Sequence, residues 1–181
     1  MIILFKQIIS MILIPFYLFC CGSINSTPDL TEGLIELEIS QIVSLIQRDL
    51  IHNKSVNQNL FKNISFKFLP TEEEITLERI HNMDYVAHCH VEFPMVEKTI
   101  FISEDFWRNN NENIKYLVLL HEVGHCLYGF KGNLDRNTAD KCPLDIMNDE
   151  IDLKNRKDFN CLNNKYNQYK QQFFDLVSGG E

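Results

Sequence analysis

The chain has 181 residues, 45% of them apolar, 11% aromatic and 23% charged, with a net charge of −8 at pH 7. That length holds one domain with a sizeable core. No stretch gathers Lys or Arg, which excludes the basic face that nucleic-acid binding needs, so no nucleic-acid partner is expected.

The first 21 residues form a unit of their own. Lys6 is followed by about 13 mostly apolar residues, too short to cross roughly 30 Å of hydrocarbon but suited to a signal peptide. The run ends in Leu18-Phe19-Cys20-Cys21-Gly22-Ser23. This resembles a bacterial lipoprotein signal, with Leu three residues ahead of Cys21 as the candidate lipidated residue. The expected localisation is export, as a lipoprotein anchored to a membrane and facing the periplasm or cell exterior, with plain secretion as the alternative. Residues 1–21 are then the signal, 22–31 a polar tether and 32–181 a single folded domain. Cys89, Cys126, Cys142 and Cys161 remain, enough in an exported domain for two disulfides in any of three pairings.

Along the domain, Leu34, Leu37, Ile42, Leu45 and Ile46 predict an amphipathic helix over about 34–50. Alternation at 64–68 predicts a half-buried strand, and 84–93 and 97–102 predict two more on either side of Pro94. A polar turn at 103–105 leads to the strongest helix, about 112–128, with Gly129 at the C-cap position. Residues 131–158 read as loop, and 165–177 as a last helix with Tyr166, Tyr169, Phe173, Leu176 and Val177 on one side. No repeat or low-complexity tract interrupts this mixed α/β body. Phe106 and Trp107 read as core residues.

The chemistry concentrates in His121-Glu122-Val123-Gly124-His125. Residues four apart on a helix lie one turn apart on one face, so His121 and His125 can present two imidazoles to one metal ion. Glu122 sits about 100° around the helix from His121, within reach of a water beside that ion. Tyr116, Leu119, Leu120, Val123 and Leu127 fall on the opposite face, and Gly124 lies between the faces where a neighbour can approach closely.

These residues resemble the active-site helix of zincin metalloproteases, especially the small metzincin-like proteases predicted among bacterial lipoproteins. Thr99-Ile100-Phe101-Ile102 with Phe106-Trp107 is similar to their edge strand and aromatic segment. Leu144-Asp145-Ile146-Met147-Asn148 resembles the Met-turn, and the last helix their closing helix. The resemblance implies an α+β fold: a small mixed sheet, an active-site helix, a Met-turn-like loop and a C-terminal helix. It implies a zinc metalloendopeptidase acting on a peptide or protein substrate. His121 and His125 would be Zn²⁺ ligands, Glu122 the general base and Met147 the Met-turn residue. The chain departs from the family pattern at the third ligand. Metzincins place a His about ten residues beyond the first, whereas Lys131 and Gly132 stand there and no histidine follows His125. Asp135 is the favoured third ligand, with Asp140, Asp145, His88 and His90 as alternatives. The rival reading is a catalytically degenerate, zincin-like surface lipoprotein that acts as a binding or structural module. Oligomeric state, substrate and cleavage preference are not legible.

Overall fold

The computed structural model describes residues 30–53, 58–69, 86–91, 97–133, 135–136, 139–148, 151–153 and 155–179. The expected signal with Cys21, most of the tether and the charged stretch 71–79 lie outside them. Among the described residues no helix is long and apolar enough to cross a membrane.

The first element is helix α1, Leu30–His52, so regular structure begins inside the expected tether. Its buried stripe is Ile39, Ile42, Ile46 and Leu50, spaced three and four apart as one helix face requires. Leu34, Leu37 and Leu45, expected on that face, are exposed. Sequence periodicity picks apolar spacing, and here two apolar stripes compete for one core.

A 3₁₀ turn, Gln58–Asn63, leads into β1, Ile64–Leu69; β2 is Ala87–Val91 and β3 is Lys98–Ser103. They form a three-stranded mixed sheet in the order β1-β3-β2. β1 runs parallel to β3 with Phe66 beside Ile100, and β2 runs antiparallel with Cys89 beside Ile100. The segment Thr99–Ile102 is therefore central and not the edge strand its resemblance implied. Both its margins are already hydrogen-bonded, and among the described residues β1 and β2 are the two flanks.

Ser103 caps a short helix α2, Glu104–Asn109, by accepting from the Phe106 amide. Asn111 caps the next, α3, Glu112–Val123, by accepting from the Ile114 amide. The helix widens into one π turn, Gly124–Tyr128, and stops at Gly129, whose φ of 64° is the left-handed cap expected of glycine. Two more helices follow, α4, Arg156–Asn164, and α5, Tyr166–Val177. The sequence pattern gave no sign of α4, whose buried face is Asp158, Cys161 and Leu162. Only one of those three is an aliphatic residue, so no apolar period marks it.

The core lies between α1, α3, α5 and one sheet face, joining Ile42, Ile46 and Leu50 to Ile100, Ile102, Trp107, Leu119, Leu120, Tyr169 and Phe173. Trp107 is fully interior, edge-on to Phe68, and its indole N–H donates to Glu38. Lys115 is buried as well; it reaches Glu38 at 2.6 Å and lies over the Trp107 ring. That places the burial cost of a cation against both a carboxylate and an aromatic face. Disulfides join Cys89 to Cys126 and Cys142 to Cys161, one of the three pairings the sequence leaves open.

Candidate metal centre

Helix α3 and its π turn bring His121 and His125 together. Their ring centroids are 4.5 Å apart, and the two Nε2 atoms lie 2.9 Å from each other. Both histidines are half-buried. The opposite side of the helix is interior, with Tyr116, Leu119, Leu120 and Val123 all buried, as the helical wheel predicts. Glu122, between the two histidines in sequence, is buried too.

Backbone carbonyls fix the tautomers. His121 Nδ1 lies 2.7 Å from the carbonyl oxygen of Ile146, and His125 Nδ1 lies 2.7 Å from that of Phe130. A carbonyl only accepts, so both Nδ1 atoms carry hydrogen and donate. In the neutral rings both Nε2 lone pairs then point at each other across 2.9 Å. Such an arrangement calls for a cation between them, either a proton or a metal ion. The donor set fits zinc, because metal-ligating histidines characteristically donate the other ring N–H to a carbonyl or carboxylate. Two nitrogens on one tetrahedral zinc sit about 3.3 Å apart, so the pair needs to open by only a few tenths of an ångström.

The two carbonyls come from different sources. Phe130 follows the glycine cap, and its own N–H returns to the Gly124 carbonyl, so the end of the helix holds it. Ile146 belongs to the turn 144–148, which lies under the helix. There the Met147 sulfur is packed against Gly124, 2.8 Å from where a Cβ on that glycine would stand, with Phe173 at 3.0 Å. Gly124 is thus the point of close approach its position predicts. Met147 is buried directly beneath the turn carrying the two histidines.

The other sequence-predicted donors are placed elsewhere. Asp135 is exposed; its N–H donates to Asn133 and its carbonyl accepts from Leu144 and Asn148. Asp140 accepts from the Cys142 amide and pairs with Lys165. Asp145 takes the Met147 amide and the Asn133 side chain. His88 and His90 are exposed, alternating along β2 with Cys89, whose sulfur joins the helix. Among the described residues no group of three or more His, Cys, Asp and Glu gathers at one point. The structure therefore unites His121 and His125 but brings neither Asp135 nor its alternatives to them. Ile146, Phe130 and Asn133 were not singled out in the sequence. Two of them act through backbone carbonyls, which leave no side-chain signature.

The Cys89–Cys126 disulfide ties the flanking strand to the π turn, next to His125. Lys98 of β3 adds a second tie, donating to the Cys126 carbonyl at 2.5 Å. A cation at carbonyls left open by a helix end is favourable. Two links from the sheet thus hold the segment that carries one of the two imidazoles.

Compared with known proteins, the chain matches no family model, no curated protein and no solved structure.

Proposed function

We propose that the chain is an exported zinc metallopeptidase of zincin type, with the ion held by Nε2 of His121 and Nε2 of His125. The single observation that carries this reading is the donor accounting: two Nδ1–H groups on carbonyls, and two Nε2 atoms converging at 2.9 Å. The Met147 side chain under the helix and the glycine-capped turn also support it. Among the described residues no third donor joins the pair, so in this reading Asp135, the donor the sequence favours, has to be drawn to the ion when it binds. It is exposed, while its backbone is held to the same turn as Ile146 and Met147.

A bound zinc would supply Lewis acidity toward a peptide carbonyl and lower the pKa of an attacking water. The chain's own part is to hold the ligands and move the proton. Glu122 takes the proton of the attacking water on its carboxylate and delivers it to the departing amine nitrogen. Both margins of β3 are taken, so a peptide adding as a strand would pair with a flank, and β2, tied by Cys89 to Cys126 beside His125, is the flank joined to the candidate centre. Two disulfides support an oxidising compartment. The lipid anchor at Cys21 is part of the same proposal.

Glu122→Gln tests the mechanism. It should retain zinc and lose at least about a hundredfold in cleavage of a broad peptide library, the scale of lost acid–base catalysis. Cleavage equal to wild type would remove Glu122 from the reaction.

One observation favours a second reading, a zincin-like module that binds metal or a protein partner without hydrolysis: no third donor joins the histidine pair among the described residues. Zinc retained weakly, with no peptide cut by wild type, would select it.

A further inference from the structure

The carbonyl that orients His121 is one atom of a turn, and the turn is held by two side chains. Asp145 Oδ1 accepts from the Met147 amide at 2.8 Å. The Asn133 side-chain amide donates to both Asp145 oxygens, at 2.9 and 3.0 Å. The Asn133 N–H in turn donates to the Met147 carbonyl at 2.9 Å. Asp145 and Asn133 therefore grip the peptide units on both sides of Met147, the first of which carries the Ile146 carbonyl. The buried Asn148 closes the arrangement, donating to the Asp135 carbonyl at 2.8 Å and to Asn133 Oδ1 at 3.4 Å.

We infer that Asp145 and Asn133 are positioning residues for the metal centre. Their mutual hydrogen bonds set the Ile146 carbonyl where it receives Nδ1–H of His121 and so aim Nε2 at the ion. This rests on the zinc reading above for its consequence, while the hydrogen bond itself, His121 Nδ1 to the Ile146 carbonyl at 2.7 Å, is part of the fold. It also gives Asp145 a use different from the ligand role weighed for it, because its two oxygens already meet three donor contacts.

The pairing is a match of an acceptor-only group with a donor, which makes it testable by exchange. Asp145→Asn keeps one acceptor but replaces the other with an NH₂ that faces the Asn133 NH₂, and Asn133→Asp sets two carboxylates against each other. Making both substitutions restores one donor and one acceptor. It also leaves acceptors for the Met147 and Asp135 amides and for Asn148.

The experiment measures zinc affinity by competition with a chromophoric chelator for wild type, both single variants and the exchange variant. The protected imidazole N–H proton of His121 is followed by NMR in each full-length protein as purified. Each single variant should bind zinc about 10–100-fold more weakly, the usual cost of disturbing an outer-shell partner. Each should also lose or broaden the His121 N–H signal, and the exchange variant should recover both to within a few-fold. Unchanged affinity and an unchanged N–H signal in Asp145→Asn would overturn the inference. So would an exchange variant no better than the single ones, since loss from misfolding alone is not restored by swapping the pair. If wild type bound no zinc while the N–H signal still followed the pattern, the positioning would stand and the zinc assignment would fall.

Discussion

The sulfur of Met147 occupies the space that a side chain on Gly124 would need, 2.8 Å from the position of its missing Cβ. Gly124 has an ordinary helical backbone, φ −57°, so what excludes a larger residue is the neighbour and not the dihedral. The helix can lie this close to the turn only because position 124 lacks a side chain, and the closeness lets the Ile146 carbonyl meet His121.

Gly124→Ala should therefore cost about 1–3 kcal/mol of overpacking, partly offset by up to about 1 kcal/mol of helix propensity. In a Met147→Ala background the same change should cost clearly less, because of the two opposing side chains only Phe173, at 3.0 Å, is left. Denaturant unfolding of the four proteins checks this. Coupling of at least about 1 kcal/mol is expected for residues in contact, and additive effects would contradict the packing.

The two disulfides should contribute differently. Cys89–Cys126 spans 37 residues and Cys142–Cys161 spans 19. Chain-entropy arguments give about 4 and 3 kcal/mol respectively. Loss of the first should also weaken zinc binding, since Cys126 adjoins His125. Thermal unfolding and zinc titration of Cys89→Ala/Cys126→Ala and Cys142→Ala/Cys161→Ala decide it: a larger zinc effect from the second pair would run against the account.

Asp158 should govern part of the acid response. Its burial opposes charge, but two hydrogen bonds from Arg136, at 2.9 and 3.0 Å, and one from the Asp152 amide outweigh that. They hold its carboxyl below the ordinary value of 3.8. Asp49 is lowered likewise: burial works against its charge, and Lys170 and Tyr116 more than compensate. A folded-state pKa below the unfolded one adds stability that is present above the unfolded pKa and lost as pH falls through the folded one. Stability should thus be insensitive to these groups above about pH 5 and fall progressively below about pH 4. Asp158→Ala should cost about 2–4 kcal/mol at neutral pH, leaving Arg136 without its carboxylate. It should also flatten the acid limb, which urea unfolding at pH 3 to 7 would reveal; an acid limb as steep as wild type would count against Asp158.

Much of this was legible in the residues. The helix with the histidines, its interior face, its glycine cap and the strand at 64–69 follow from periodicity and capping chemistry, which act locally. Phe106 and Trp107 are core as their size suggests. Three things were not legible. β3 became central because of pairing partners far along the chain, with Ser65 lying beside Thr99. Helix α4 is anchored by a disulfide and an ion pair in place of an apolar stripe. The partners of His121 and His125 are main-chain carbonyls, set by loop geometry that residue types do not announce. Asp145 illustrates the difference: its chemistry suits a ligand, and only its contacts assign it to the turn.

Metal content offers the most direct test. The purified full-length chain should carry close to one zinc after dialysis against metal-free buffer, and His121→Ala and His125→Ala should each carry far less with little change in fold by circular dichroism. Wild type with no zinc after equilibration with the metal, or single-histidine variants that retain it undiminished, would show that the facing imidazoles share a proton and that no metal ion joins them.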